Sequence, residues 1–201
     1  MIRHFLWFTI LLFLLSNSNI NAQKKINIVE TGSYASCFVY QLLDEKGNKI
    51  KVPAIIDSAL DCPSGLISVS PDCKYFVFYH DALKIYDFYT KKISVLFDIP
   101  ENSEGFSDVC WSPDGSKFVF VNINQQLYKG GCKIFVVILN QGKFEKKYMI
   151  EAPVNYVCGS FCTSAEGYDF WFKNNQEISY KRNINIDDNP GKVETIDLSN
   201  Q

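Results

Sequence analysis

Histidine, methionine and tryptophan are scarce in this chain of 201 residues, with two, two and three copies. Outside the leading apolar segment only one imidazole, His80, is left for acid–base or metal chemistry. No GxSxG elbow, HExxH helix, phosphate loop or dinucleotide fingerprint occurs, so no familiar catalytic constellation is legible. An excess of charge of one sign is missing as well. Twenty basic residues face 22 acidic ones, scattered in runs no longer than pairs such as Lys91-Lys92 and Lys146-Lys147. That pattern excludes the basic footprint expected of a nucleic-acid or acidic-lipid binder, and it reads as solvated turns and strand ends.

The apolar stretch Phe5 to Leu15 is short of the roughly 20 residues that a membrane helix needs. Preceded by Arg3 and followed by Ile20-Asn-Ala22, it has the order of a secretory signal. The expectation is a signal peptide over 1–22, a mature chain over 23–201, no stable membrane span after cleavage, and a periplasmic or secreted location. No cysteine follows the apolar core closely, so no lipid anchor is expected. Seven cysteines in an exported chain invite disulfides, and an odd count leaves one unpaired within a monomer. Their connectivity cannot be read from spacing.

What the chain does contain is a phrase written repeatedly. Cys110-Trp-Ser-Pro-Asp-Gly-Ser-Lys-Phe-Val-Phe120 has an earlier copy, Ser68-Val-Ser-Pro-Asp-Cys-Lys-Tyr-Phe-Val-Phe78. A worn third copy reads Cys162-Thr-Ser-Ala-Glu-Gly-Tyr-Asp-Phe-Trp-Phe172. The starts lie 42 and 52 residues apart, close to the period of propeller-type arrays. Ser-Pro-Asp-Gly is a turn, because proline pre-sets φ at its second position and aspartate bonds nearby backbone. Gly115, and Gly167 in the third copy, are expected at a left-handed exit. Aromatic and β-branched strands follow each turn. A second hairpin follows in the first two copies, Leu83 to Phe97 and Lys133 to Ile150, giving four strands per unit. Upstream, Cys37–Leu43 and Lys49–Val52 read as an outer hairpin without its inner partner. The strand-like tail, Lys192 to Leu198, could pair with that hairpin and close a small ring; otherwise open terminal blades would favour self-association.

These residues predict an all-β fold, an incomplete or small β-propeller of roughly three to four four-stranded blades. The units run over about 35–65 (partial), 66–105, 106–157 and 158–201 (degenerate). The phrase Trp111 to Phe120, with the strand after it, resembles the WD40-like repeat of TolB-type propellers, and similar repeats build the propeller domains of prolyl-oligopeptidase-like peptidases. The resemblance covers 66–150 well and 151–181 weakly. It implies an exported, non-catalytic interaction scaffold of the cell envelope with a protein partner. The alternative it implies is a relative of a peptidase propeller that lacks the catalytic domain.

His80 and Asp81 could serve as acid and base, but sequence neighbours on a strand point to opposite sides and no nucleophile motif accompanies them. Asp187-Asp188 lack the spacing of a calcium loop. Cys158 and Cys162 lack the pairing and histidines of a zinc site. No catalytic, cofactor or metal residue is therefore assigned. Aromatics in connecting segments, Tyr89, Tyr128 and Tyr156, are candidates for a partner or glycan surface, with packing between blades as the plainer role.

Overall fold

The structure, a computed structural model, describes residues 25–35, 37–63, 66–98, 103–124, 131–140, 143–153, 156–158, 162–164, 170–182 and 192–199. The signal segment 1–22, Tyr128, Gly167 and the pair Asp187-Asp188 lie outside these residues, as do the side chains of Tyr156, Cys158 and Cys162.

The described residues open with strands β1 (Asn27–Tyr34) and β2 (Cys37–Leu43) and a short helix α1 (Ala54–Leu60). A four-stranded sheet follows, β3 (Ile67–Val69), β4 (Tyr75–His80), β5 (Ala82–Asp87) and β6 (Ile93–Asp98), each strand pairing the next. The second such sheet is β7 (Ser103–Trp111), β8 (Lys117–Asn124), β9 (Gly131–Asn140) and β10 (Lys143–Pro153). A two-stranded hairpin, β11 (Tyr156–Cys158) and β12 (Cys162–Ser164), precedes a third, three-stranded sheet of β13 (Phe170–Phe172), β14 (Glu177–Arg182) and β15 (Lys192–Asp197). All named pairings are antiparallel. The fold is all-β, an incomplete propeller of meandering blades, as the repeat predicts.

The first two blades are built by the same turn. In blade one Ser70 Oγ lies 2.6 Å from Asp72 Oδ1 and accepts the Tyr75 N–H at 3.0 Å. In blade two Ser112 Oγ lies 2.7 Å from Asp114 Oδ1 and accepts the Lys117 N–H at 2.9 Å. Asp114 also accepts the Ser116 N–H and hydroxyl. Partial burial pushes its carboxyl up, but these bonds outweigh that and hold it below the usual carboxylate range. Cys73 at φ 55° and Gly115 at φ 71° make the same left-handed exit, so cysteine tolerates a geometry that glycine adopts at ease.

Gly115 is constrained twice, because a Cβ there would meet Asp72 Cγ and Oδ1 at 3.0 Å. The turn of blade two is stacked on the turn of blade one. Gly115→Val is expected to cost about 1–3 kcal/mol, from the strained φ together with the clash. Urea unfolding of the variant checks it; an unchanged midpoint would contradict the stacked turn.

Alternation along the middle strands then decides what faces what. Phe76, Phe78 and Tyr86 point back to Leu42, Ile56, Ala59 and Leu60 of the amino-terminal unit, forming one core cluster. Val77, Leu83, Ile85 and Phe97 point forward and meet Phe118, Phe120, Phe135 and Val137 of blade two. Each buried phenylalanine or leucine contributes about 1.5–3 kcal/mol. The amino-terminal unit therefore acts as a cap on the outer face of blade one. Helix α1 suits this role because Ile56, Ala59 and Leu60 fall on one side of its short length. Cys37 and Cys62 form a disulfide that ties β2 to the segment after the helix.

Two expectations are corrected. Cys37–Leu43 does not form a hairpin with 49–52; it pairs β1, and only an isolated Leu43–Lys49 bridge remains. Pro53 then opens α1 instead of continuing a strand. The third copy over 162–172 is not one hairpin either, since β12 pairs β11 while β13 pairs β14. The true third turn is Lys173–Gln176, where Asn174 Oδ1 accepts the N–H groups of Gln176 and Glu177 in the manner of Asp72 and Asp114. After it, Ile178, Ser179 and Tyr180 are as buried as Phe118, Val119 and Phe120. The tail strand β15 pairs β14 within the third blade and not the amino-terminal hairpin, which is the open one of the two arrangements that the tail allowed.

Candidate interaction site

The His80–Asp81 pair lies at the reversal between β4 and β5, with Asp81 held at φ 56°. Asp81 is committed to Lys84, which is nearly buried on β5 and makes a close ion pair with its carboxylate. The Lys84 hydrogen bond is the main reason the Asp81 carboxyl lies below the ordinary range. His80 Nδ1 is 3.7 Å from the same carboxylate, beyond hydrogen-bond reach. The arrangement neutralises a lysine that faces the cap side of blade one.

Tyr89 is 92% exposed at the tip of the β5–β6 turn, where Asp87 Oδ1 accepts its N–H at 2.7 Å. It stands beside Thr90 and Lys91 and forms no apolar patch with them. The exposed aromatics of the cap, Tyr34 and Phe38, flank the β1–β2 reversal, and the Tyr34 hydroxyl donates to Asp61. Cys158 and Cys162 oppose each other across β11 and β12. Among the described residues no group of three or more metal-ligating side chains converges.

A concave feature lies elsewhere, between blades two and three. A cleft of about 330 Å³ is lined by Lys117, Ile138, Glu145 and Lys147 of blade two, with Gln176 and Leu198 of blade three on its other side. Register explains the lining. Lys117 opposes Ile138, and Ile138 opposes Glu145, so these side chains share the face that blade two turns towards blade three. Lys147 opposes Val136 on the same face. Two backbone bonds frame the opening, Leu139 N–H to Ser116 O at 2.9 Å and Leu198 N–H to Gln176 O at 2.7 Å. The Asp114 N–H donates to Asn175 Oδ1 at 3.1 Å and links the turns of the two blades.

Sequence reading groups Lys146 and Lys147 as solvated charges, but they part company here. Lys146 turns to blade one and sits 3.7 Å above the Phe97 ring, and the loss of water there pulls its ammonium below the ordinary lysine range. Lys147 turns the other way, into the cleft. The period-2 rule on a strand is the signal that separates them. Neither lysine, nor Lys117, stands in a motif that marks a site.

No protein-family model matches the sequence, and no curated protein matches it. Among solved structures, the chain is similar to an oligogalacturonate lyase in complex with manganese, at 13% identity and a TM-score of 0.52. The match covers 89% of this chain and 47% of the lyase, so the chain spans about half the length of that protein. An oligogalacturonate lyase from Vibrio parahaemolyticus matches at 13% identity and a TM-score of 0.46, over 81% of this chain and 43% of that one. Dipeptidyl peptidase 4 from Porphyromonas gingivalis matches at 15% identity and a TM-score of 0.44, over 80% of this chain and 28% of the peptidase. These are β-propeller proteins, and the first match carries the same conclusion for this chain: it has the propeller fold.

Proposed function

We propose that the chain is an exported, non-catalytic protein-interaction scaffold of the cell envelope, built on WD40-like repeats of the TolB type. The observation that carries this reading is the open cleft between blades two and three. It is lined by the charged side chains of Lys117, Glu145 and Lys147 and by the amides of Asn140 and Gln176, a makeup that suits a recognition surface. The recurring Ser-x-Asp turn supports the repeat assignment, because the same hydroxyl–carboxylate pair closes the turn at Ser70–Asp72 and Ser112–Asp114. The role of Asp81 supports the non-catalytic part, since its carboxylate serves a buried lysine.

Two experiments test the reading. Amino-terminal sequencing of extracytoplasmic material is expected to begin at Gln23. An intact Met1 on membrane-retained protein would overturn export. For the scaffold role, a photo-crosslinking side chain at Asn140, exposed on the cleft rim, is expected to give one discrete protein adduct in the native envelope. Absence of any protein adduct at that position would count against a partner at the cleft.

A further inference from the structure

Seven cysteines leave five once Cys37 and Cys62 are joined. Two of the five stand directly opposite each other in a strand ladder. Cys158 on β11 is the register partner of Cys162 on β12. It is the one cysteine pair so placed among the described residues. Cys132 on β9 lies opposite Ile123 and Ala152, and Cys110 on β7 lies opposite Val119. Cys73 ends the turn of blade one, where its sulfur accepts the Ile26 N–H at 3.3 Å.

Register partners in an antiparallel ladder have Cα atoms about 4.5 or 5.5 Å apart, depending on whether the pair exchanges hydrogen bonds. Both separations fall within the roughly 4.4–6.8 Å that a disulfide spans. The Cys37–Cys62 bond, with a Cα separation of 4.8 Å, likewise joins paired segments, beside the Val39–Asp61 bridge. Hairpin β11–β12 also has much to gain from a covalent tie. Its strands are three residues each, and they make a two-stranded sheet of their own. Such a hairpin is marginal in water unless something fastens or covers it. Strand β12 lies against β7, but no ladder joins the two among the described residues.

From this register we infer that Cys158 and Cys162 form a second disulfide, a clasp across hairpin β11–β12. Each thiol gives up a proton and an electron, and one sulfur–sulfur bond forms. The oxidant is a small-molecule disulfide, whose own sulfur–sulfur bond breaks to give two thiols. The loop that closes is short, so chain entropy favours this pair over more distant ones. Cys110 is the competitor. Its neighbours Val109 and Trp111 pack into the cluster between blades one and two, so Cys110 faces the opposite side of its strand. The clasp stands or falls independently of the scaffold role.

Trypsin sorts the cysteines for the test. The peptide from Tyr148 to Lys173 carries Cys158 and Cys162 and no other cysteine, while Cys110 and Cys132 fall on peptides of their own. The purified mature chain is equilibrated with glutathione disulfide until the Cys37 and Cys62 peptides are joined, then quenched in acid, alkylated and digested. Mass spectrometry is expected to find the Tyr148 to Lys173 peptide unalkylated and lighter than its dithiol form by two hydrogen atoms. Chymotrypsin is expected to cut after Phe161 without parting the two halves until a reductant is added. Two alkyl groups on that peptide would overturn the clasp. A link from it to the Cys110 or Cys132 peptide would overturn the clasp too, and would assign the bond to a junction with blade two. Cys158→Ser combined with Cys162→Ser is expected to remove amide-exchange protection from β11 and β12 while β8 and β9 keep theirs. Unchanged protection in the hairpin would overturn the fastening role.

Discussion

Phe120→Ala is expected to lower the unfolding free energy by about 3–5 kcal/mol, the largest effect of any single side chain considered in this protein. Phe120 is fully buried at the junction of blades one and two. Its ring lies 5.6 Å from Phe97 of blade one at a steep angle and 5.3 Å from Phe135 of its own blade in a stacked arrangement. Truncation therefore removes transfer energy, opens a cavity between the sheets, and deletes the ring contacts with Phe97, Phe135 and Phe118, worth about 0.5–1.5 kcal/mol each. The sheets cannot collapse into the gap without disturbing the stacked turns at Asp72 and Gly115. Urea unfolding followed by tyrosine and tryptophan fluorescence reads the change as a lower midpoint with a similar slope. Phe38→Ala serves as the control, since Phe38 is half exposed and its loss is expected to stay within about 0.5 kcal/mol. A Phe120→Ala effect as small as the control's would mean that blades one and two do not share a core.

The same interface shows why the sequence was legible in its middle and opaque at both ends. Blades one and two carry the turn and the aromatic strand together, so local chemistry and burial point to the same answer. In blade three they separate. Burial persists at Ile178, Ser179 and Tyr180, but the turn there is Lys173-Asn-Asn-Gln176, which shares no proline or glycine with its counterparts. Asn174 does the work of aspartate through a neutral carbonyl oxygen. Meanwhile Gly167 and Phe170-Trp-Phe172 imitate the phrase upstream, and a pattern search settles on the imitation. The cap was unreadable for a different reason. Helix α1 spans Ala54–Leu60, too short for a helical period to emerge, and its register against β4 is fixed by tertiary contacts. The cleft was hidden because its lysines look like ordinary surface charges until pairing places them on one face.

Opening the Cys37–Cys62 disulfide is expected to cost about 2–4 kcal/mol and, more tellingly, to loosen one end of the molecule before the other. The bridge spans 25 residues of sequence, enclosing most of β2, the turn after it and all of α1. In the chain-entropy account, a loop of that length is worth about 3.5 kcal/mol through the freedom it removes from the unfolded chain. Native contacts add to this, because Cys62 N–H donates to Phe38 O and Val39 bridges Asp61, so the bridge holds the end of the helix against β2. The loop is also what seals Phe76, Phe78 and Tyr86 beneath Leu42, Ile56 and Leu60. Reduction, or Cys37→Ala with Cys62→Ala, should therefore speed amide exchange in β1, β2 and α1 first. Strands β8 and β9, packed in the blade interface, should keep their protection. Hydrogen exchange under reducing and oxidising conditions distinguishes the outcomes. A uniform loss of protection across all sheets would mean that cap and blades unfold as one unit, and the cap would not be separately fastened. Exposure confined to the cap would leave three aromatic side chains of blade one open to solvent, an aggregation hazard that an oxidising compartment suppresses by keeping the bridge closed.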